Sequence, residues 1–358
     1  MAYLDATDLY DLQAGGAASE SRFSEQGLLD ATKASSLAVD YILPSDKAAM
    51  QSMDSIRDVE IPVIQDQTVT VNSTPGFTFI PSNLPTSAQY SFTAYDVFSG
   101  FRHYPATYSS NQVDEAAAKA VVMKNVLYAM ANTVETTIAT VLETRKCQLM
   151  NYTTQVSQGD GTFTFNTTPD ELEVNKAAQK ETMFSNLTQL MEANELPGAY
   201  RIITNRAGLA VQKSEAAKYG AGNDKNLQAL GFFGADRMHE SGNISAGSNV
   251  FEGWLIRDGA IGIVENFPYD FRNGTEVGGK KWSVSAMELP FLKMRANIYI
   301  NNEATNAEAL ISGGSSSDNK MTHFQEMAIW SRFYVVYPYN SDLTTRVSDV
   351  VKITGLTT

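Results

Sequence analysis

This chain has one cysteine and three histidines in 358 residues. Alone, Cys147 can close no internal disulfide and build no thiolate metal site, so a reducing compartment is the default, and a buried or half-buried apolar role follows for it. His103, His239 and His323 stand far apart, with no two imidazoles on one helix face, so no metal centre is expected. Long hydrophobic runs are absent too: no stretch of eighteen apolar residues could cross a membrane. The opening MAYLDATDLYDLQ is acidic and has no apolar core, so no secretory signal is expected in it. Positive charge is scarce, with a net charge of −13. A nucleic-acid binder would show a basic stripe, and none is present.

Signatures of catalysis are missing as well. GAGNDKN and VGGKKW are glycine turns without the strand-to-helix frame of a dinucleotide site, and no phosphate-binding loop or G-x-S-x-G elbow occurs. Acidic residues such as Asp258 and Glu265 read as solvated surface. No cofactor, metal or catalytic residue is expected, and the chain is not read as an enzyme.

What is present is organised in blocks. Residues 1–60 hold eleven acids against four bases, Arg22, Lys33, Lys47 and Arg57, a net −7. Ordering such a polar segment costs about 1–2 kcal/mol per residue, so it needs a large surface to lie on. Residues 61–108 alternate as strands, in QTVTVNS, GFTFIPS and YSFTAYDVFSGFRHY, broken by prolines. Five aromatics, Phe77, Phe79, Tyr90, Phe92 and Tyr95, fall on what reads as an exposed face of this ribbon.

Neither glycine nor proline occurs from Ala106 to Gln158. Val113 to Met150 therefore reads as one helix, about 57 Å long at 1.5 Å per residue. Asn111 is its expected cap, with Asp114 and Glu115 in the first turn. Leu127, Ala131, Val134, Ile138 and Val141 recur at spacings of four and three, giving one apolar packing stripe. Lys124 and Glu135 are expected off that stripe. Beyond it, TFTFN reads as a strand, Pro169 as the start of a second helix, YRIITN as a buried strand, and RAGLAVQKSEAAKYG as the helix after it. Short strands follow to Ile300, and HFQEMAIWSRFYVVYPYN closes the pattern as a long strand.

This order of parts, together with LMEANELPGAYRIITNRAGLA, resembles the major capsid proteins of tailed bacteriophages with the Hong Kong 97-like fold. The resemblance implies an α+β chain with an N-terminal arm (1–58) and an extended β-hairpin loop (59–110). It further implies a peripheral domain carrying the spine helix (111–168 and 296–358) and an axial domain (169–295). The implied function is self-assembly into pentamers and hexamers that form an icosahedral shell around phage DNA. DNA would be enclosed without sequence-specific binding, and the ribbon aromatics would touch neighbouring subunits. Portal, scaffolding and decoration proteins are the implied partners, in a virion assembled in the host cytoplasm, with no membrane. An encapsulin-like nanocompartment shell around protein cargo, and a soluble α+β hydrolase or lyase, are the competing readings.

Two departures carry expectations. No lysine lies between Lys47 and Lys119. The ribbon therefore cannot supply the amine with which some family members weld neighbouring subunits covalently. The start at Met1 without a long charged helical extension leads to the expectation of a separate scaffold and no large cleaved pro-segment.

Overall fold

The computed structural model describes residues 27–35, 43–52, 58–64, 87–103, 115–146, 163–166, 170–176, 179, 183, 187, 199–211, 238–266, 276–277, 280–281, 283–288, 292–305, 323–337 and 349–357. The N-terminal part gives α1 (Gly27–Ser35), α2 (Pro44–Ser52), β1 (Val59–Ile64), β2 (Ser87–Phe92), β3 (Ala94–His103) and α3 (Glu115–Arg145). The middle gives β4 (Phe163–Asn166), β5 (Glu171–Val174), β6 (Tyr200–Thr204), β7 (Met238–Glu240), β8 (Phe251–Arg257) and β9 (Gly262–Asn266). The remainder gives β10 (Glu276–Val277), β11 (Lys280–Lys281), β12 (Ser283–Glu288), β13 (Arg295–Thr305), β14 (His323–Val336) and β15 (Val350–Gly355).

The long helix is α3, at 31 residues. That makes it about 46 Å long, shorter than the sequence suggests. Its last helical bond runs from the Lys146 N–H to the Leu142 carbonyl at 2.8 Å. Asn111, Asp114 and Cys147 lie outside the described residues. Threonine is a poor helix former, yet Thr133, Thr136, Thr137 and Thr140 each donate a hydroxyl to the carbonyl four residues back. Those bonds use up the hydroxyl protons locally and leave methyl groups facing out.

Two sheets organise the body. In the first the order is β12-β13-β14-β3, all antiparallel, with β9 also on β14. In the second the order is β4-β5-β15-β8-β6-β7. Strand alternation gives the second sheet two apolar faces. Ile203, Trp254, Ile256 and Val350 join the large core beneath α3. Tyr200, Ile202, Phe251, Leu255, Val351 and Ile353 form a separate core with Met183, Leu187 and Val211. The large core also takes Ile298, Met327, Ile329 and Phe333 from the first sheet, so α3 packs on a core shared by both sheets.

Several expectations are corrected. Pro169 does not open a helix: β5 follows at Glu171–Val174, because it is held between β4 and β15. Asp170 turns the chain into it with φ of 66°. The expected domain limits cut across strand pairs. β12 and β13 form one antiparallel hairpin, whose ladder keeps them in the same sheet, although a boundary was expected at 295/296. β15, expected with β14, pairs instead with β5 and β8. In the described part of the ribbon, β3 runs beside β14 over ten paired residues; residues 65–86 lie outside the described ones.

Candidate functional site: the two sides of the long helix

The inner side of α3 carries the expected stripe. Leu127, Ala131, Val134, Ile138 and Val141 are all buried, joined by Met123, Met130 and Leu142. Lys124 and Glu135, expected on the polar flanks, are buried as well. The reason is geometric. Glu135 lies four residues after Ala131 and three before Ile138, so it shares the inward face; Lys124 lies three before Leu127.

Glu135 is fully buried. Its Oε1 accepts the N–H groups of Leu28 at 2.9 Å and Leu29 at 3.2 Å. Its Oε2 accepts the Ser241 hydroxyl at 2.8 Å and the Asn243 side-chain amide at 2.6 Å. Leu28 and Leu29 open α1, where backbone donors have no partner within the helix. A carboxylate more than a hundred residues away in sequence therefore caps this helix, at the end its dipole makes positive. Burial pushes the Glu135 carboxyl above its ordinary pKa, against the pull of its four hydrogen bonds.

The start of α1 fits closely. A Cβ on Gly27 would stand 2.4 Å from the Glu240 carbonyl oxygen, so no side chain can occupy that position without a shift. Farther along, Lys33 pairs with Glu265 at 2.7 Å and Lys293 pairs with Asp30.

At its other end α3 closes on two clusters. The Arg145 guanidinium lies 4.3 Å from the Tyr337 ring centroid and 5.6 Å from that of Tyr90. It also donates to the Tyr337 hydroxyl at 2.8 Å. Tyr90, Phe92 and Tyr337 meet edge to face, with centroids 4.6–5.4 Å apart. This corrects the reading of the ribbon aromatics. Tyr90 and Phe92 are buried in the chain's own core, and Tyr95 stacks on Phe333. They face inward because Arg145 and Tyr337 supply their partners. Phe77 and Phe79 lie outside the described residues.

The second cluster is ionic. Lys352 on β15 reaches Glu171 at 2.7 Å, Glu143 at 3.2 Å and Glu252 at 3.6 Å. Lys146 bridges Glu143 and Glu171, and Thr354 donates to Glu171 at 2.8 Å. Burial raises the Glu171 carboxyl, but the hydrogen bonds from Lys352 and Thr354 and the two lysine charges outweigh it and hold it low. Burial likewise lowers Lys352, and its carboxylates more than reverse that, so it is held high. Both shifts keep the pair ionised. A protonated amine beside a carboxylate is not a nucleophile, so this is a salt cluster and not a nascent amide bond.

The outward side of α3 is different in kind. Between residues 121 and 142 only Lys124 and Glu135 are charged, and both point inward. The exposed positions are Val121, Val122, Asn125, Ala129, Thr133, Thr136 and Thr140. Val121 is 59% exposed and Val122 39%. A solvent-facing helix normally carries its charge outside and its apolar residues inside. Here six helical turns of outer surface carry no charge at all.

No group of metal-binding side chains occurs among the described residues, and no described helix is long and apolar enough to cross a membrane. His103 is buried on β3, and His239 lies 3.4 Å from Arg201.

By sequence the chain matches no known family profile and no curated protein. Among solved structures it is similar to one from Mycobacterium phage Adephagia, at 13% identity, covering 100% of this chain and 99% of that one with a TM-score of 0.45. It is similar to the capsid structure of the cyanophage P-SCSP1u at 10% identity, covering 86% of each chain with a TM-score of 0.44. It is also similar to the head structure of Helicobacter pylori bacteriophage KHP40 at 11% identity, covering 85% of this chain and 86% of that one with a TM-score of 0.40.

Proposed function

We propose that this chain is a structural, non-enzymatic subunit of a tailed-phage head with a Hong Kong 97-like fold. Copies assemble as pentamers and hexamers into a closed icosahedral shell that encloses DNA in the virion. The observation that carries this reading is the division of α3 into a buried inner side and an uncharged outer stripe, on a chain of net charge −13. Copies carrying that much like charge repel one another wherever acidic surfaces meet. A neutral stripe of valine, alanine and threonine side chains interrupted by Asn125, with its threonine hydroxyl protons already bonded, is a surface on which close contact costs little desolvation. The acidity of the rest suits a container that must be filled with DNA without gripping it. Scaffolding and portal proteins are further partners of this reading, and assembly takes place in the host cytoplasm.

The test is electron microscopy of the purified chain and of its Thr136→Glu, Thr140→Glu variant. Uniform polyhedral shells are expected from the first. From the second, folded unassembled subunits are expected, because both positions are exposed and a folded helix tolerates glutamate there. Small dispersed particles from the parent chain, under conditions that drive related subunits to assemble, would overturn the proposal. Shells filled with protein instead of DNA at their source would move the reading to a nanocompartment.

A further inference from the structure

The Glu135 carboxylate plays no part in the clusters at the end of α3, yet it is fully buried and accepts four hydrogen bonds. Its two oxygens are divided between two separate segments. Oε1 holds the N–H groups of Leu28 and Leu29 in the first turn of α1, and Oε2 holds the hydroxyl and amide of Ser241 and Asn243 in the turn after β7. Asn243 reaches a second time to the Asn132 side chain, one turn earlier on α3, at 3.2 Å. The same two segments touch directly where Gly27 lies against the Glu240 backbone.

All four donors are neutral. The charged groups on the surrounding elements are engaged elsewhere. On α1, Lys33 pairs with Glu265 of β9, and Asp30 pairs with Lys293. On β7, His239 lies beside Arg201 of β6, and Glu240 meets α1 through its backbone. Lys124, the other buried charge on α3, lies eleven residues away along the helix. Beyond these bonds, α1 buries Leu28, Leu29 and Ala31 in the large core and makes the two ion pairs just named, which are partly exposed and hold weakly.

We propose that α1 is a separable strap on the body, and that Glu135 is the proton-sensitive catch that seats it. Lifting α1 off α3 removes both Oε1 donors and lets water reach the carboxylate. The 241–243 turn then shares its anchor with solvent, so strap and turn loosen together. Docking does the reverse and takes the carboxylate out of water.

The direction of the pH response follows from burial. A carboxyl whose pKa is raised in the docked state binds its proton more tightly there than in the lifted state. Acid therefore favours docking, and the preference disappears as pH rises through the docked-state pKa. A protonated Glu135 still fits: the Ser241 hydroxyl can accept from it, and the Oε1 that holds α1 remains an acceptor. The catch tightens as pH falls and relaxes as pH rises through the docked-state pKa. On the reading of the chain as a shell subunit, the lifted strap frees the N-terminal arm; the strap itself is a property of one chain and is tested on one chain.

The experiment is amide hydrogen exchange on the purified full-length chain across pH 4 to 8, a range that begins below the ordinary glutamate value, corrected for the intrinsic pH dependence of exchange. In the parent chain, protection of Leu28 and Leu29 should rise as pH falls, by up to about tenfold per pH unit for one coupled proton. β8 and β15 should stay protected at every pH. Glu135→Gln keeps the shape and one acceptor but cannot titrate, so its α1 protection should be flat across that range. Protection of α1 that does not change with pH in the parent chain overturns the proposal. So does a parent-like pH slope in Glu135→Gln, or exchange of α1 in step with β8 and β15, which would make it part of the global unit and no strap. Because the parent chain alone gives the slope and the order of opening, a variant that fails to fold leaves the test intact.

Discussion

Replacing Lys352 with methionine should cost the protein several kilocalories, and the structure says why. Lys352 is the shared cation of three carboxylates, at 2.7 Å from Glu171, 3.2 Å from Glu143 and 3.6 Å from Glu252. The side chains of Lys352 and Glu171 are only 10% and 12% exposed, so water does little to replace the lost charge. Methionine keeps most of the aliphatic stem that runs along β15, where the amine lies 5.7 Å from the Trp254 ring. The loss is therefore electrostatic. Removing one partner of a buried pair costs about 3–5 kcal/mol, because the other charge stays behind unpaired. Lys146 remains 3.5 Å from Glu171 and softens the penalty, so the lower end, about 3 kcal/mol, is expected. Adding Glu171→Leu to the same chain should recover much of that loss, with a coupling of about 1–3 kcal/mol between the two positions. The assay is equilibrium urea unfolding of the parent chain, both single variants and the double variant. The pH profile adds a second check. Glu171 is held below its ordinary pKa, so its contribution is present above the unfolded carboxylate value and is lost as pH falls through the folded one. Lys352 is held high, so its contribution is present below the unfolded lysine value and is lost as pH rises through the folded one. Stability should show a plateau between those limits, with the acid side flattened in Lys352→Met. A cost below about 1 kcal/mol with an unchanged acid limb would place the cluster among surface ion pairs and refute the reasoning.

Two further outcomes are expected. Val134→Asp with Ile138→Asp puts two carboxylates into the core under α3, where both positions are fully buried. At several kilocalories per uncompensated ion, that approaches or exceeds a total stability of about 5–15 kcal/mol. Circular dichroism should show a chain that has lost its native melting transition, and shells from this variant would mean the inner stripe is misread. Particles boiled in detergent should run as monomer on a denaturing gel, because residues 48–118 contain no lysine and Lys352 is committed to its salt cluster. A ladder of covalent oligomers would contradict this.

Sequence showed that α3 is one unbroken long helix and showed the spacing of its apolar stripe, because both depend on local chemistry: no glycine or proline, and a repeat of four and three. It showed β4 and β6 for the same reason. It did not show β5, whose Glu-Leu-Glu-Val is a strand only because β15 runs beside it from the far end of the chain. The two clusters that fasten α3 were hidden in a similar way. Arg145 and Tyr337 are 192 residues apart, and Lys352 and Glu143 are 209 apart. Glu135 is the instructive miss. Ala131, Glu135, Ile138 and Leu142 also step by four, three and four, so an acid in apolar register was visible. Taken as a polar flank, it was assigned outward; a charge at a stripe position should instead prompt a search for what it binds. The ribbon aromatics failed the opposite way, since alternation shows which residues share a face but not which face has a partner.

The length of α3 acquires a purpose from what is fixed at each point along it. Near its middle, Glu135 seats α1 and the turn after β7. At its end, Arg145 holds the Tyr90–Phe92 pair of β2, while Glu143 and Lys146 bind β5 and β15. Glu135 and Glu143 are eight residues apart, about 12 Å along the axis, so one rigid element sets the spacing between the arm and the second sheet. A helix that ended before Glu143 could reach the first of these groups but not hold both in register. Between residues 121 and 142 its two charges, Lys124 and Glu135, are turned inward, and that leaves its outer surface there neutral. Fastening the subunit together and clearing a face for its neighbours are thus one arrangement of the same residues. The Thr136→Glu, Thr140→Glu variant separates them: it should leave the inward clusters and the fold intact while removing assembly, and a loss of both together would mean that the two sides of α3 are not independent.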